Sequence, residues 1–196
     1  MATSATLAMA KKARELKAKG ADVISLSLGE PDFDTPAHII EAAKQAMDEG
    51  YTRYTPVAGF QDLREAISEK FKRDNNLDYA PEQIVVSTGA KHSIMNVIMS
   101  VVNPGDEVII PSPFWVSYTE MVKLAGGTPV LLESNVDSNY KFNLEDLRDA
   151  LNERTKLFLF SSPCNPSGSV FGEAELNAIA DILSSQEKVH VISDEI

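Results

Sequence analysis

The sequence predicts an α/β protein: a mostly parallel sheet with helices on both faces. Two observations carry that expectation. From Ile84 onward, short runs of β-branched and apolar residues recur, and stretches of helical period separate them. Strands covered on both faces read as continuous apolar runs, and parallel neighbours need a crossover between them, usually a helix. In addition, several runs end in a turn built from Gly, Pro, Ser or Asp, where an open α/β sheet places its ligands.

Along the chain, Leu7, Ala10, Ala13 and Leu16 recur at helical spacing and predict a helix over Thr6 to Lys19, with Gly20 available to end it. A short strand is expected at Val23 to Leu28. Thr35-Pro36 reads as a cap followed by proline at the first helical position, and Ile39, Ala43 and Met47 then keep one face until Gly50. Leu63, Ile67 and Phe71 repeat that spacing. Both stripes read as core packing rather than as a functional surface. Strands are then expected at 84–87, 107–110, 129–132, 156–160 and 189–192, with helices at about 90–102, 115–125, 143–152 and 173–186.

Composition narrows the function. The 196 residues are 43% apolar, enough for one sizeable core. Lys and Arg number 18 against 29 Asp and Glu, and a formal charge of -11 repels phosphate backbones and anionic membranes. Neither nucleic acid nor a membrane is expected as a partner. The single cysteine, Cys164, excludes an internal disulfide and a multi-cysteine zinc site, and no metal site is predicted. No apolar run reaches the roughly 18 residues of a membrane span and no signal-peptide core follows Met1, so a cytoplasmic location is expected.

The turns after Ser87, Ile110, Phe160 and Ser193 carry the candidate chemistry. Gly89-Ala90-Lys91 opens a helix, and the free amides of a helix start form a ready anion site, although glycine also serves such turns for closure alone. The dinucleotide and P-loop glycine patterns are absent. Trp115, the only tryptophan, follows Pro111-Ser112-Pro113-Phe114 and is either a flat plate for an aromatic ligand or a core residue. Asn165 lies between Pro163 and Pro166, which restrict its backbone while its amide offers both a donor and an acceptor; Asn-Pro-Ser-Gly is equally good turn chemistry. Asp194 ends an apolar strand, where a carboxylate needs a partner unless it reaches solvent. A phosphate cradle, an aromatic plate, an amide and an acid at one sheet edge are together what pyridoxal 5'-phosphate requires.

The chain resembles the class I and II aminotransferases, and within them the aspartate aminotransferase subgroup. The resemblance rests on the runs 27–36 (SLGEPDFDTP), 54–59 (YTPVAG), 112–118 (SPFWVSY), 162–168 (SPCNPSG) and 193–196 (SDEI). Cys164 stands where asparagine is common and Ser167 where threonine is common. The resemblance implies the large domain of the fold-type I, pyridoxal-phosphate-dependent enzymes. It places residues 1–45 partly in a small domain and residues 46–196 in the first part of the cofactor-binding large domain.

By resemblance, Gly89, Ala90 and Lys91 bind the cofactor phosphate and Trp115 stacks on the pyridine ring. Asn165 bonds the ring 3-oxygen, and Asp194 pairs with the protonated ring nitrogen. Tyr54 reaches the phosphate of a neighbouring subunit, which implies a homodimer. Substrate contacts fall to Gly29, Trp115, Asn165 and Lys91, with Lys91 reaching the distal carboxylate of aspartate, helped by Ser4 and Thr6. The family's Schiff-base lysine falls beyond Ile196, and neither Lys91 nor Lys123 stands at its position. The implied reaction moves an amino group between an amino acid and a 2-oxo acid.

Alternatives of the same fold are enzymes for aromatic, alanine or prephenate substrates and carbon–sulfur lyases. Outside enzymes, the alternative is the sensor domain of a regulator. Such regulators carry a basic DNA-binding segment ahead of the domain, and a chain of charge -11 opening on Ser4-Ala5-Thr6 shows no sign of one.

Overall fold

Parallel strands dictate the architecture of residues Gly89–Ile196, one of the two units into which the chain divides; the other is Thr6–Thr88. The computed structural model describes residues 5–26 and 29–196.

In the second half, β1 (Glu107–Pro111), β2 (Thr128–Leu132), β3 (Thr155–Ser161) and β4 (His190–Asp194) form a sheet of order β2-β1-β3-β4. All three pairings are parallel. The connections are helical: α4 (Ala90–Val101) precedes β1, α5 (Ser117–Leu124) joins β1 to β2, α6 (Leu144–Ala150) joins β2 to β3, and α7 (Glu173–Ser184) joins β3 to β4. Asn143 caps α6, its side-chain oxygen accepting the Glu145 amide at 3.0 Å.

Alternation along the strands sorts the core into two layers. Val108, Ile110, Leu157 and Leu159 pack with Ile94 and Ile98 of α4 and with Tyr118, Met121 and Val122 of α5. Their neighbours Ile109, Phe158 and Phe160 turn the other way, onto Leu147 of α6 and Ile179, Ile182 and Leu183 of α7. The apolar runs are continuous because both faces of the sheet are covered. Each fully buried side chain of this kind stabilises the fold by about 1.5–3 kcal/mol relative to exposure.

Register then fixes the edge where chemistry can occur. Pro111 pairs with Leu132, and Ser161 with Asp194, so the carboxyl ends of all four strands lie together.

The unit Thr6–Thr88 departs further from expectation. Its helices are α1 (Ala5–Ala18), α2 (Ala37–Asp48) and α3 (Gln61–Asn75), with a 3₁₀ turn at Pro81–Gln83. No strand forms at 23–26 or at 84–87, and Ser27 and Leu28 lie outside the described residues. A strand exists only through a partner, and among the described residues the 84–87 run has just one bond of that kind, from the Val86 amide to Ala58 O at 3.0 Å. Pro36, not Thr35, occupies the cap position of α2, and no side chain caps that helix. The apolar stripes of α2 and α3 contain no buried residue, with Met47 61% exposed. Among the described residues these faces are not enclosed in a core; Ile67 and Phe71 are half-buried, and Phe71 meets Tyr79 edge-on with centroids 6.2 Å apart.

Candidate active site

At the carboxyl edge of the sheet, α4 begins abruptly. Gly89 has φ 82° and ψ 162°, a conformation that disfavours any side chain, and Ala90 starts the helix. The first helical bonds run from the His92 and Ser93 amides to Gly89 O. The amides of Gly89, Ala90 and Lys91 therefore precede the helical ladder, beside the positive end of the helix dipole. A side chain added at Gly89 would meet no atom within 4 Å among the described residues.

Lys91 is exposed, and its ammonium stands 4.6 Å from the centroid of the Trp115 ring. A cation on an indole face is held by the ring quadrupole, about 0.5–1 kcal/mol at an exposed site. Trp115 itself is half-buried against the α4/α5 core layer. Its backbone carbonyl accepts the Tyr118 amide at 3.0 Å, and its ring meets the Tyr118 ring edge-on, centroids 5.6 Å apart at 90°.

Tyr118 has no exposed surface, yet its hydroxyl reaches the sheet edge and donates to Asp194 Oδ2 at 2.5 Å. Burial, followed by the bond to Asp194 and its charge, raises the phenol above its ordinary value; a hydrogen bond from Ser161 opposes the rise. Asp194 is half-buried at the end of β4, and its backbone carbonyl accepts the Ser162 amide at 3.3 Å.

The 162–168 loop closes over this edge. Cys164 Sγ donates to Pro113 O at 3.2 Å, tying it to the turn that carries Trp115. Phe171 N donates to Ser162 Oγ at 3.1 Å and anchors the loop below. Asn165 stays exposed at its tip. Behind the loop, a cavity bordered by Pro113, Tyr118, Ser161 and Cys164 measures only about 10 Å³, room for a water at most.

Of the sequence candidates, Lys91 stands over Trp115, and Tyr118 links Trp115 to Asp194; Gly89 and Ala90 adjoin Lys91 along the chain, and Asn165 lies on the 162–168 loop. Gly29 and Tyr54 belong to the other unit, and Tyr54 is fully exposed there. Ser4 lies outside the described residues, as does the side chain of Thr6. Sequence reasoning gave no role to Tyr118 or Ser161. Tyr118 was in view as the third residue after Trp115, at a helix start, but a tyrosine there reads as core. Among the described residues no cluster of metal-ligating side chains occurs, and no helix is long and apolar enough to cross a membrane.

A parallel sheet with a helix start, an indole and a hydrogen-bonded acid along its carboxyl edge defines an open α/β domain. The family model for aminotransferase class I and II matches residues 21–196, and the chain belongs to that family. It is 50% identical over 192 residues to an aspartate/prephenate aminotransferase of Cereibacter sphaeroides, covering 98% of this chain and 48% of that protein. It is 49% identical over 193 residues to an aspartate aminotransferase of Bacillus subtilis, covering 98% and 49%. An aspartate aminotransferase from Thermus thermophilus, solved with maleate, superimposes with a TM-score of 0.94 at 44% identity, covering 100% of this chain and 51% of that one. The chain spans about half the length of the curated relatives it matches.

Proposed function

We propose that the whole protein is a pyridoxal-phosphate-dependent aminotransferase that uses aspartate as amino donor and a 2-oxo acid as acceptor. The observation that carries this reading is the unbroken series of contacts Lys91–Trp115–Tyr118–Asp194 along the carboxyl edge of the sheet.

The residues present suit the cofactor. The open amides of Gly89, Ala90 and Lys91 suit a phosphate, the Trp115 ring suits an aromatic heterocycle, and the Asp194 carboxylate suits a protonated ring nitrogen. Asn165 supplies an amide for the ring 3-oxygen. When bound, the cofactor supplies an electron sink for the substrate α-carbon. The chain's own part is to bind, orient and keep the ring nitrogen charged. Tyr54 reaching a second subunit's phosphate, and with it a homodimer, belongs to the same reading. So do a cytoplasmic location, a backbone contact from Gly29 to the substrate carboxylate, and the partial assignment of residues 1–45 to a small domain.

The choice of a dicarboxylic donor rests on Lys91. A second buried carboxylate without a cation is strongly disfavoured, and Lys91 pairs with no carboxylate among the described residues. Ser4 and Thr6 are proposed to assist it with hydroxyls. The Thermus thermophilus relative was solved with maleate, itself a dicarboxylate. Prephenate, which also carries two carboxylates, is the second substrate, in keeping with the Cereibacter sphaeroides relative.

The test is kcat/KM for aspartate and for phenylalanine in the whole protein and in Lys91→Ala. Loss of aspartate activity with phenylalanine spared is expected. An equal fall for both would assign Lys91 to the phosphate cradle or to folding.

A further inference from the structure

We infer that Tyr118 is a positioning residue: its buried hydroxyl, donated to Asp194 Oδ2, holds the carboxylate in one orientation and leaves Oδ1 for the ring nitrogen of the cofactor. The inference rests on the cofactor reading above and assigns a task to a residue that reading does not use.

A carboxylate at a strand end can rotate about two torsions, and a ring nitrogen needs it in one place. Fixing it takes a donor that cannot itself move, and Tyr118 meets that requirement from three sides. Its ring is fully buried among Ile94, Ile98, Val122 and Leu159. Its backbone is tied to Trp115 O at the first turn of α5. Its hydroxyl sits between Ser161 and Asp194, residues that are register partners on β3 and β4. An O–H donor to a carboxylate at 2.5 Å has the length of a charge-assisted bond, about twice the strength of a neutral one. Oδ1 takes no hydrogen bond within the described residues.

The direction of proton flow follows. Burial, the bond to Asp194 and the charge of Asp194 hold the phenol in its protonated form, and the neighbouring Ser161 hydroxyl opposes that effect. Tyr118 therefore stays protonated, a donor, throughout the neutral range. Because Tyr118 also meets Trp115 edge-on, one rigid side chain registers both the stacking plate and the acid. Rings and carboxylates held this way lose little entropy when a ligand binds, so the benefit is affinity through preorganisation.

The experiment uses the whole protein freed of cofactor and measures binding of pyridoxamine 5'-phosphate by calorimetry. That ligand needs no covalent anchor. The same titration is made with its 1-deaza analogue, in which C–H replaces the ring nitrogen. Tyr118→Phe keeps the buried ring and is expected to weaken the nitrogen-bearing ligand about tenfold, the loss of one charge-assisted bond. The deaza analogue should bind both proteins alike. Equal weakening of the two ligands would make Tyr118 a packing residue and overturn the inference, as would no weakening of either.

In an Asp194→Asn background Tyr118→Phe should have no further effect, because the two act as one unit; additive losses would also overturn it. Ser161→Ala, which leaves the phenol in place, should give a smaller loss with the same selectivity for the nitrogen-bearing ligand. An equal loss for both ligands would again count against the inference. Failure of the unaltered protein to bind either ligand would instead overturn the cofactor reading itself, and this inference with it.

Discussion

Ser161 and Asp194 stand opposite one another at the last paired position of β3 and β4, and the Tyr118 hydroxyl lies between their side chains. Ends of neighbouring parallel strands thus converge on one phenol delivered by α5. Several consequences for measurement come from this arrangement.

Asp194→Ala should cost the whole protein several powers of ten in kcat, at about 1.4 kcal/mol for each power. Trp115→Phe should cost far less, because phenylalanine still offers a stacking face. The reason is chemical rather than steric: an electron sink needs its ring nitrogen charged, and only the carboxylate provides for that. Steady-state kinetics of the two variants decide it, and comparable kcat values would contradict the role given to Asp194.

Tyr118 makes stability depend on pH at the alkaline end. Its phenol is raised above the ordinary 10.0, first by burial and then by Asp194. A raised group favours the protonated folded state. Its contribution is therefore complete below the unfolded value near 10.0 and is lost as pH rises above that toward the folded value. Thermal unfolding followed from about pH 8 to about pH 11 should show Tm falling beyond about pH 10, with a shallower fall in Tyr118→Phe. Parallel curves would show that the phenol titrates as it does in the unfolded chain.

Two glycines with positive φ should respond differently to alanine. Gly89, at φ 82° and ψ 162°, would place its new methyl clear of other atoms within 4 Å, so Gly89→Ala carries backbone strain alone, about 1–3 kcal/mol. Gly59, at φ 96°, would place its methyl 2.9 Å from the Val86 side chain. Gly59→Ala therefore adds overpacking of about 1–3 kcal/mol to the strain of its own positive φ. Urea unfolding should rank Gly59→Ala as the less stable, and equal losses would mean that Val86 yields freely.

The second half of the fold was legible because its signals are local. Leu157 to Phe160 form one apolar run, the mark of a strand covered on both faces, and helices α4, α6 and α7 begin and end within two residues of expectation. The first half was less so. Ile84 to Ser87 has the composition of a strand, but strand formation depends on a partner and composition says nothing of one. The stripe Ile39, Ala43, Met47 has the period of a buried face, yet Ile39 is 49% exposed, since periodicity reports which residues share a face and not what covers it. At the site, Gly89, Trp115 and Asp194 were picked out by the turns they occupy. Tyr118 was not, because its significance lies in a bond to a residue 76 positions away, which no local pattern records.

Trp115 is the sole indole in these 196 residues, and it touches a cation on one side and a phenol edge on another. The tryptophan emission of this chain therefore arises from one place. An aromatic phosphate settling on the indole would exchange energy with it at contact distance and dim it. If the site takes the cofactor as proposed, these 196 residues carry an optical gauge of its occupancy, read without labels, substrates or turnover.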